Sequence, residues 1–202
     1  MARAPRRSAP DERRAQLVEL GLRLFSERSY DELSIDDIAR EAGISKGLLY
    51  HYFPSKRDYY VETVRAAAQL LLDRTDPDIG PEPEALLAGL EAYLTFAEDH
   101  ASAFVALMRS GVGHDAEVAG VLEATRARYV ARIAERLGIT DPAPRLRIAL
   151  RGWVGFVEAA SLEWLERRDL ERDAVRDLLA QMMIATLAAV GVDPPGSPAQ
   201  SS

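Results

Sequence analysis

The stretch Glu41–Lys56, EAGISKGLLYHYFPSK, gathers side chains that can grip a polyanion. It holds both lysines of the chain, Lys46 and Lys56, while the other 23 basic residues are all arginine. An ammonium on a flexible stem is a compact charge that suits a phosphate or a base edge, where a planar guanidinium would need a fork-shaped partner. Between the lysines, Tyr50, His51 and Tyr52 supply hydroxyl and imidazole donors for phosphates. Phe53 is expected to turn inward. Ser45, Lys46, Gly47 and Leu48 form the leading turn of a short helix, and Gly47 costs that helix about 1 kcal/mol relative to alanine. The cost makes sense if another molecule must approach the backbone closely there. Lys56 opens the next helix, where its ammonium and the exposed N–H groups can share one phosphate.

Local signals around this stretch predict the helices that position it. Leu17, Val18, Gly21, Leu24 and Phe25 recur at helical spacing, so Asp11–Arg28 reads as an amphipathic helix. Ser34-Ile-Asp-Asp37 has the form of a capping box that starts a second helix, buries Ile35, Ile38 and Ala39, and stops at Gly43. The third helix runs from about Ser45 to Phe53, because Pro54 disfavours helix in the residue before it. Ser55-Lys-Arg-Asp58 repeats the capping form and opens a fourth helix that reaches about Arg74. After a turn-rich connector at Asp76–Pro83, further helices are predicted at Glu84–Glu98, Ala101–Ser110, Asp115–Leu137, Pro142–Arg168 and Arg172–Val190, with Asp141-Pro142 as an N-cap and N1 pair. No sustained alternation of period two is visible. The fold class is therefore all-α: an N-terminal three-helix unit, then a C-terminal helical bundle. The expected division is a disordered basic arm at 1–10, a helix-turn-helix domain at 11–57, a helical domain at 58–192 and a disordered tail at 193–202.

Charge is distributed to match. Residues 1–57 hold 11 Lys and Arg against 9 Asp and Glu, whereas residues 58–202 hold 14 against 23, within a net charge of −7. A basic end on an acidic body suits a nucleic-acid partner. The absence of cysteine excludes disulfides and thiolate chemistry. Nothing resembles a signal peptide, and the longest apolar run, Leu178–Val192, has 15 residues where a bilayer span needs about 20. A cytoplasmic address with no membrane partner is expected.

Two short helices joined through Gly43 have the form of a helix-turn-helix, whose second helix enters the major groove while flanking groups hold phosphates. Leu33–Lys56, LSIDDIAREAGISKGLLYHYFPSK, resembles the DNA-binding motif of TetR-family transcriptional regulators, and the preceding helix matches the family's lead-in. The likeness covers roughly residues 11–60. It implies Lys46, Gly47 and Leu48 near base edges, with Ser34, Ser45, Tyr50, His51 and Lys56 near the DNA backbone and Ile35 close to the groove. Position 48 is commonly Thr, Ser or Ala in the family. Leucine here cannot hydrogen-bond a base but can meet a thymine methyl.

For the remainder the resemblance implies a variable helical domain whose last two helices pair across a homodimer. The residues agree: Leu146–Leu165 is apolar on nearly every face, interrupted mainly by Arg147, Arg151, Glu158 and Glu163, and a helix without a clear polar face is covered on all sides. An apolar small-molecule effector is expected among Tyr93, Phe96, Phe104, Met108, Tyr129, Trp153 and Phe156. Glu158 either lines that pocket or pairs with Arg126 or Arg151. His100 and His114 are expected at helix ends. No nucleophile elbow or Glu-x-x-His pair exists, so neither an enzyme nor a cofactor is expected. The function read is a homodimeric regulator, a repressor released from a palindromic operator by its effector. The alternative is a constitutive architectural DNA-binding protein.

Overall fold

The structure is a computed structural model that describes residues 9–76, 83–109 and 115–192. Among these, nine helices and no strand occur: α1 Ala9–Glu27, α2 Ile35–Glu41, α3 Lys46–Tyr52, α4 Lys56–Arg74, α5 Pro83–Asp99, α6 Ala101–Arg109, α7 Ala116–Arg136, α8 Pro144–Arg167 and α9 Arg172–Ala189. The expected arm at 1–10 and tail at 193–202 fall almost wholly outside the described residues, although α1 already includes Ala9 and Pro10. Most of the connector and His114 also lie outside them.

The caps form as the residue types dictate. The Ser34 hydroxyl accepts the Asp37 N–H at 3.1 Å, and the Asp37 carboxylate in return accepts the Ser34 N–H at 3.2 Å. The Ser34 hydroxyl, the Arg40 guanidinium and the Ser34 N–H together hold the Asp37 carboxyl down at about 2. Gly43 closes α2 with φ of +63°, a conformation that costs glycine nothing. Ser55 caps α4 by accepting the Asp58 N–H at 3.1 Å, while its own hydroxyl donates to the Asp58 carboxylate. One boundary needs correction. Asp141-Pro142 does not start α8; the N-cap is Ala143, without a side-chain bond, and Pro144 is the first helical residue. The second proline decides this, because the residue before a proline is pushed out of the helical region.

Two cores result. The first joins Leu17, Leu24, Phe25, Leu33, Ile38, Leu49 and Phe53 to Tyr59, Tyr60, Val61 and Val64 of α4, and takes in Val118 of α7. It therefore extends past residue 57 and ties the N-terminal helices to the body. α1 and α4 pack closely at Gly21, where a Cβ would stand 2.4 Å from the Thr63 hydroxyl and 2.9 Å from the Tyr59 hydroxyl. The Tyr59 hydroxyl is fixed in turn, donating to the Leu17 carbonyl at 2.6 Å. The second core is formed by α5 to α9 around Leu94, Leu150, Trp153 and Leu179.

α8 and α9 keep one apolar face open in the single chain. Ile148 is 70% exposed, Leu178 43% and Met182 38%. Exposed Gly152 and Ala159 continue the α8 stripe, and Ala185 and Ala189 that of α9. Among the described residues no helix is long and apolar enough to cross a membrane.

Candidate nucleic-acid interface and effector cavity

α3 is short, and Leu49 is its one fully buried residue, with Tyr52 half-buried behind it. Ser45, Lys46, Gly47, Leu48, Tyr50 and His51 all face solvent. Most of α3 is therefore not used to hold the fold. The Ser45 hydroxyl accepts the Leu48 N–H at 3.2 Å and still has its own proton to donate. The Ser34 hydroxyl has none to spare, since it donates to Asp37. The Lys46 ammonium lies 3.0 Å from Asp36, which raises its pKa and holds it beside α2. The Lys56 ammonium stands 4.1 Å above the Tyr30 ring at the start of α4, a cation–π contact that fixes its position while leaving its donors available.

Gly47 has nothing but the Ser45 hydroxyl, at 4.0 Å, near the place a Cβ would occupy. The chain itself does not require glycine there. Gly47→Ala is expected to leave the melting temperature unchanged or slightly raised, by helix propensity worth up to about 1 kcal/mol. It should still weaken DNA binding, as a melting curve and a binding titration on the same variant would show. Ile35 is 8% exposed and belongs to the first core, as the apolar spacing of α2 predicts, so α2 presents Asp36 rather than Ile35 outward. The first residue after the cap faces inward because Ile35, Ile38 and Ala39 share one face at helical spacing.

The body holds a partly open cavity of about 210 Å³ between the residues just past α4 and faces of α5, α7, α8 and α9. Of the residues expected around an effector, Tyr93, Tyr129, Trp153 and Glu158 line it. Phe96, Phe104, Met108 and Phe156 do not. Phe96 packs on His100, ring centroids 4.5 Å apart, with the Arg74 guanidinium 5.7 Å from its own centroid. Phe104 meets Tyr93 edge-on within the core, and Met108 and Phe156 are half-buried against that core. Phe156 turns away because the cavity face of α8 carries Trp153, Val154, Val157 and Glu158. His100 is half-buried, and burial lowers its pKa.

Both readings of Glu158 hold together. Its two carboxylate oxygens accept from Arg126 Nε at 2.9 Å each, and it lines the cavity. Arg151 bonds Glu123 instead, at 2.9 Å. The Tyr129 and Thr75 hydroxyls share a hydrogen bond of 2.8 Å, and burial pushes the Tyr129 phenol up to about 12. The Tyr93 phenol is likewise raised well above its ordinary value, by burial and then by the Glu158 carboxylate. Among the described residues its hydroxyl makes no hydrogen bond, although the side chain is more than nine-tenths buried. The sequence reading missed Thr75, Asp76, Arg132 and Arg136, which also line the cavity. A signal existed: Tyr129, Arg132, Ile133, Arg136 and Leu137 follow i, i+3, i+4, i+7, i+8 spacing, which places two arginines within an apolar stripe.

α4 joins the two sites, with Lys56 at one end and Thr75 and Asp76 just past the other. Beside Lys56, Arg57 bonds Asp115 at 2.8 Å and Glu117 at 2.7 Å, and Asp115 also caps α7.

The arrangement is that of a DNA-binding head on a helical, cavity-bearing body, and comparison with known proteins agrees. Residues 17–62 match the family described as "Bacterial regulatory proteins, tetR family", and residues 82–186 match "Tetracyclin repressor-like, C-terminal domain". The chain belongs to the TetR family of DNA-binding transcriptional regulators. It is 33% identical to a TetR-family transcriptional regulator from Streptomyces coelicolor of known structure, with a TM-score of 0.80 over 93% of this chain and 92% of that one. It is 27% identical to the transcriptional activator FasR of Mycolicibacterium smegmatis over 81% of this chain and 78% of that protein. It shares the fold of Bacillus subtilis FadR, solved in complex with stearoyl-CoA, with a TM-score of 0.64 and 13% identity over 85% of this chain and 98% of that one.

Proposed function

We propose that this regulator acts as a homodimeric repressor that leaves a palindromic operator when an apolar small molecule enters the body. The observation that carries this reading is α4, which has a lysine placed to grip a phosphate at one end and, at the other, a C-cap, Thr75, that lines the cavity. A change at Thr75 and Asp76 is thereby transmitted to the spacing of the two heads, which must match about 34–36 Å between successive major grooves. Tyr93 lines the cavity and its hydroxyl makes no hydrogen bond among the described residues, so it is available to an occupant there, which supports the reading. FasR is named an activator and FadR was solved with an acyl-CoA; each supports ligand-linked control in proteins like this one, with either sign.

Selection of bound fragments from random double-stranded DNA at near-physiological salt tests the reading. An inverted repeat with half-sites about one helical turn apart is expected. Unenriched binding that vanishes as salt rises would leave the architectural alternative. A reporter under the selected operator then gives the sign of regulation. On that operator, Lys56→Ala and Tyr50→Phe should weaken binding to specific and random DNA alike, and Lys56→Ala should lower the salt slope by about 1 per half-site. Lys46→Ala should instead alter preference between sequences. Equal losses from all three on both DNAs would reject this division of roles.

A further inference from the structure

The polar groups of the cavity wall point to a narrower ligand class than an apolar molecule. We infer that the cavity takes a compact, uncharged molecule whose one oxygen accepts a hydrogen bond from Tyr93. This rests on the reading of the cavity as an effector site.

The other polar side chains of the wall already have partners. Asp76 lies 2.9 Å from Arg136 and 3.6 Å from Arg132, and Arg132 also donates to the Leu72 carbonyl. Both Glu158 oxygens accept from Arg126 Nε at 2.9 Å. The Tyr129 and Thr75 hydroxyls bond each other at 2.8 Å, and Trp153 Nε1 donates to the Leu179 carbonyl at 3.1 Å. Tyr93 differs. It lines the cavity and is 8% exposed, yet its hydroxyl makes no hydrogen bond among the described residues.

That hydroxyl is a donor. Burial and the Glu158 carboxylate both disfavour its ionised form, so it keeps its proton near neutral pH. Glu158 and Arg126 act on it from α8 and α7, and each already neutralises the other. A charged ligand group at Tyr93 would therefore leave water without an unpaired counter-charge to receive it, which is costly in an apolar space. A carbonyl or hydroxyl oxygen loses less on leaving water and regains a hydrogen bond from the phenol.

The remaining wall sets the size and the apolar character of the ligand. Leu86, Leu90, Val154, Val157 and Leu187 are among the side chains that face the space of about 210 Å³. An apolar cavity of about 150 Å³ accommodates one benzene, so this one takes about eight to ten non-hydrogen atoms.

Calorimetric titration of the full chain decides the matter. One series is 2-octanone, 1-octanol, octanoate and octylamine; the other is acetophenone, 2-phenylethanol, phenylacetate and 2-phenylethylamine. Ethylbenzene and stearoyl-CoA complete the set. In at least one series a neutral member should bind about tenfold more tightly than its carboxylate and its amine. Tyr93→Phe should weaken that neutral ligand about fivefold, the effect of one hydrogen bond between uncharged groups. Ethylbenzene affinity and the melting temperature should not change, because the lost hydroxyl bonds nothing in the fold. A carboxylate, an amine or stearoyl-CoA binding more tightly than every neutral compound would overturn the inference and leave the effector reading intact. Equal affinity of the neutral ligand for the two proteins, or binding of ethylbenzene alone, would do the same. No binding by any of these compounds would overturn both.

Discussion

Ile148→Asp combined with Met182→Asp is expected to yield a folded monomer with operator affinity reduced by about a thousandfold, the low end of the gap between specific and non-specific binding. Both residues are exposed in the single chain, so the charges cost its fold little. Surface substitutions of this kind usually stay within about 0.5 kcal/mol. A partner would have to bury them, and a carboxylate buried without a counter-charge costs several kcal/mol. The open stripes on α8 and α9 are where two copies would meet. Small residues at Gly152 and Ala159 would let the α8 backbones approach closely. A lone head retains half of the phosphate and base contacts, which accounts for the size of the loss. Light scattering with a binding titration checks both halves. A dimer that survives the two aspartates would place the interface elsewhere.

Phe53→Ala is expected to destabilise the protein by about 3–5 kcal/mol. For a chain of this size that lowers the melting temperature by about 6–20 °C. Phe53 is 1% exposed and joins the turn after α3 to α4. Its ring meets Tyr59 edge-on at 4.9 Å, and the Arg14 guanidinium lies 5.2 Å from its centroid. Truncation leaves a void beneath α3 that Tyr59 cannot fill, because its hydroxyl is bound to the Leu17 carbonyl. DNA binding should fall with stability, since the orientation of α3 is lost. Tyr50→Ala, on the exposed face of the same helix, should leave melting within about 1 °C and weaken only DNA binding. Equal thermal losses in the two variants would mean that α3 is held from its outer face.

Local residue types are enough to dictate most helices, their ends and the exposed face of α3, because these rest on contacts a few residues apart. Ser34, Gly43, Ser45 and Ser55 punctuate the chain through bonds that reach no further than the next turn. The same locality exposes Lys46, Leu48 and Tyr50 while burying Leu49. The start of α8 is equally local, since Pro144 pushes Ala143 out of the helical region.

The position of the cavity, by contrast, depends on how the helices pack. Its wall combines the end of α4 with faces of α5, α7, α8 and α9, so its members are brought together by packing between distant segments. Aromatic content pointed to Phe96, Phe104, Met108 and Phe156, but an aromatic residue serves a solid core as well as a pocket. Rotation about each helix axis separates the two cases, and neighbouring helices set that rotation. Hence Trp153 lines the cavity and Phe156, three residues on, does not. Asp76 lies far from Arg132 and Arg136 in the chain and joins them at the cavity wall only because α7 packs beside the end of α4.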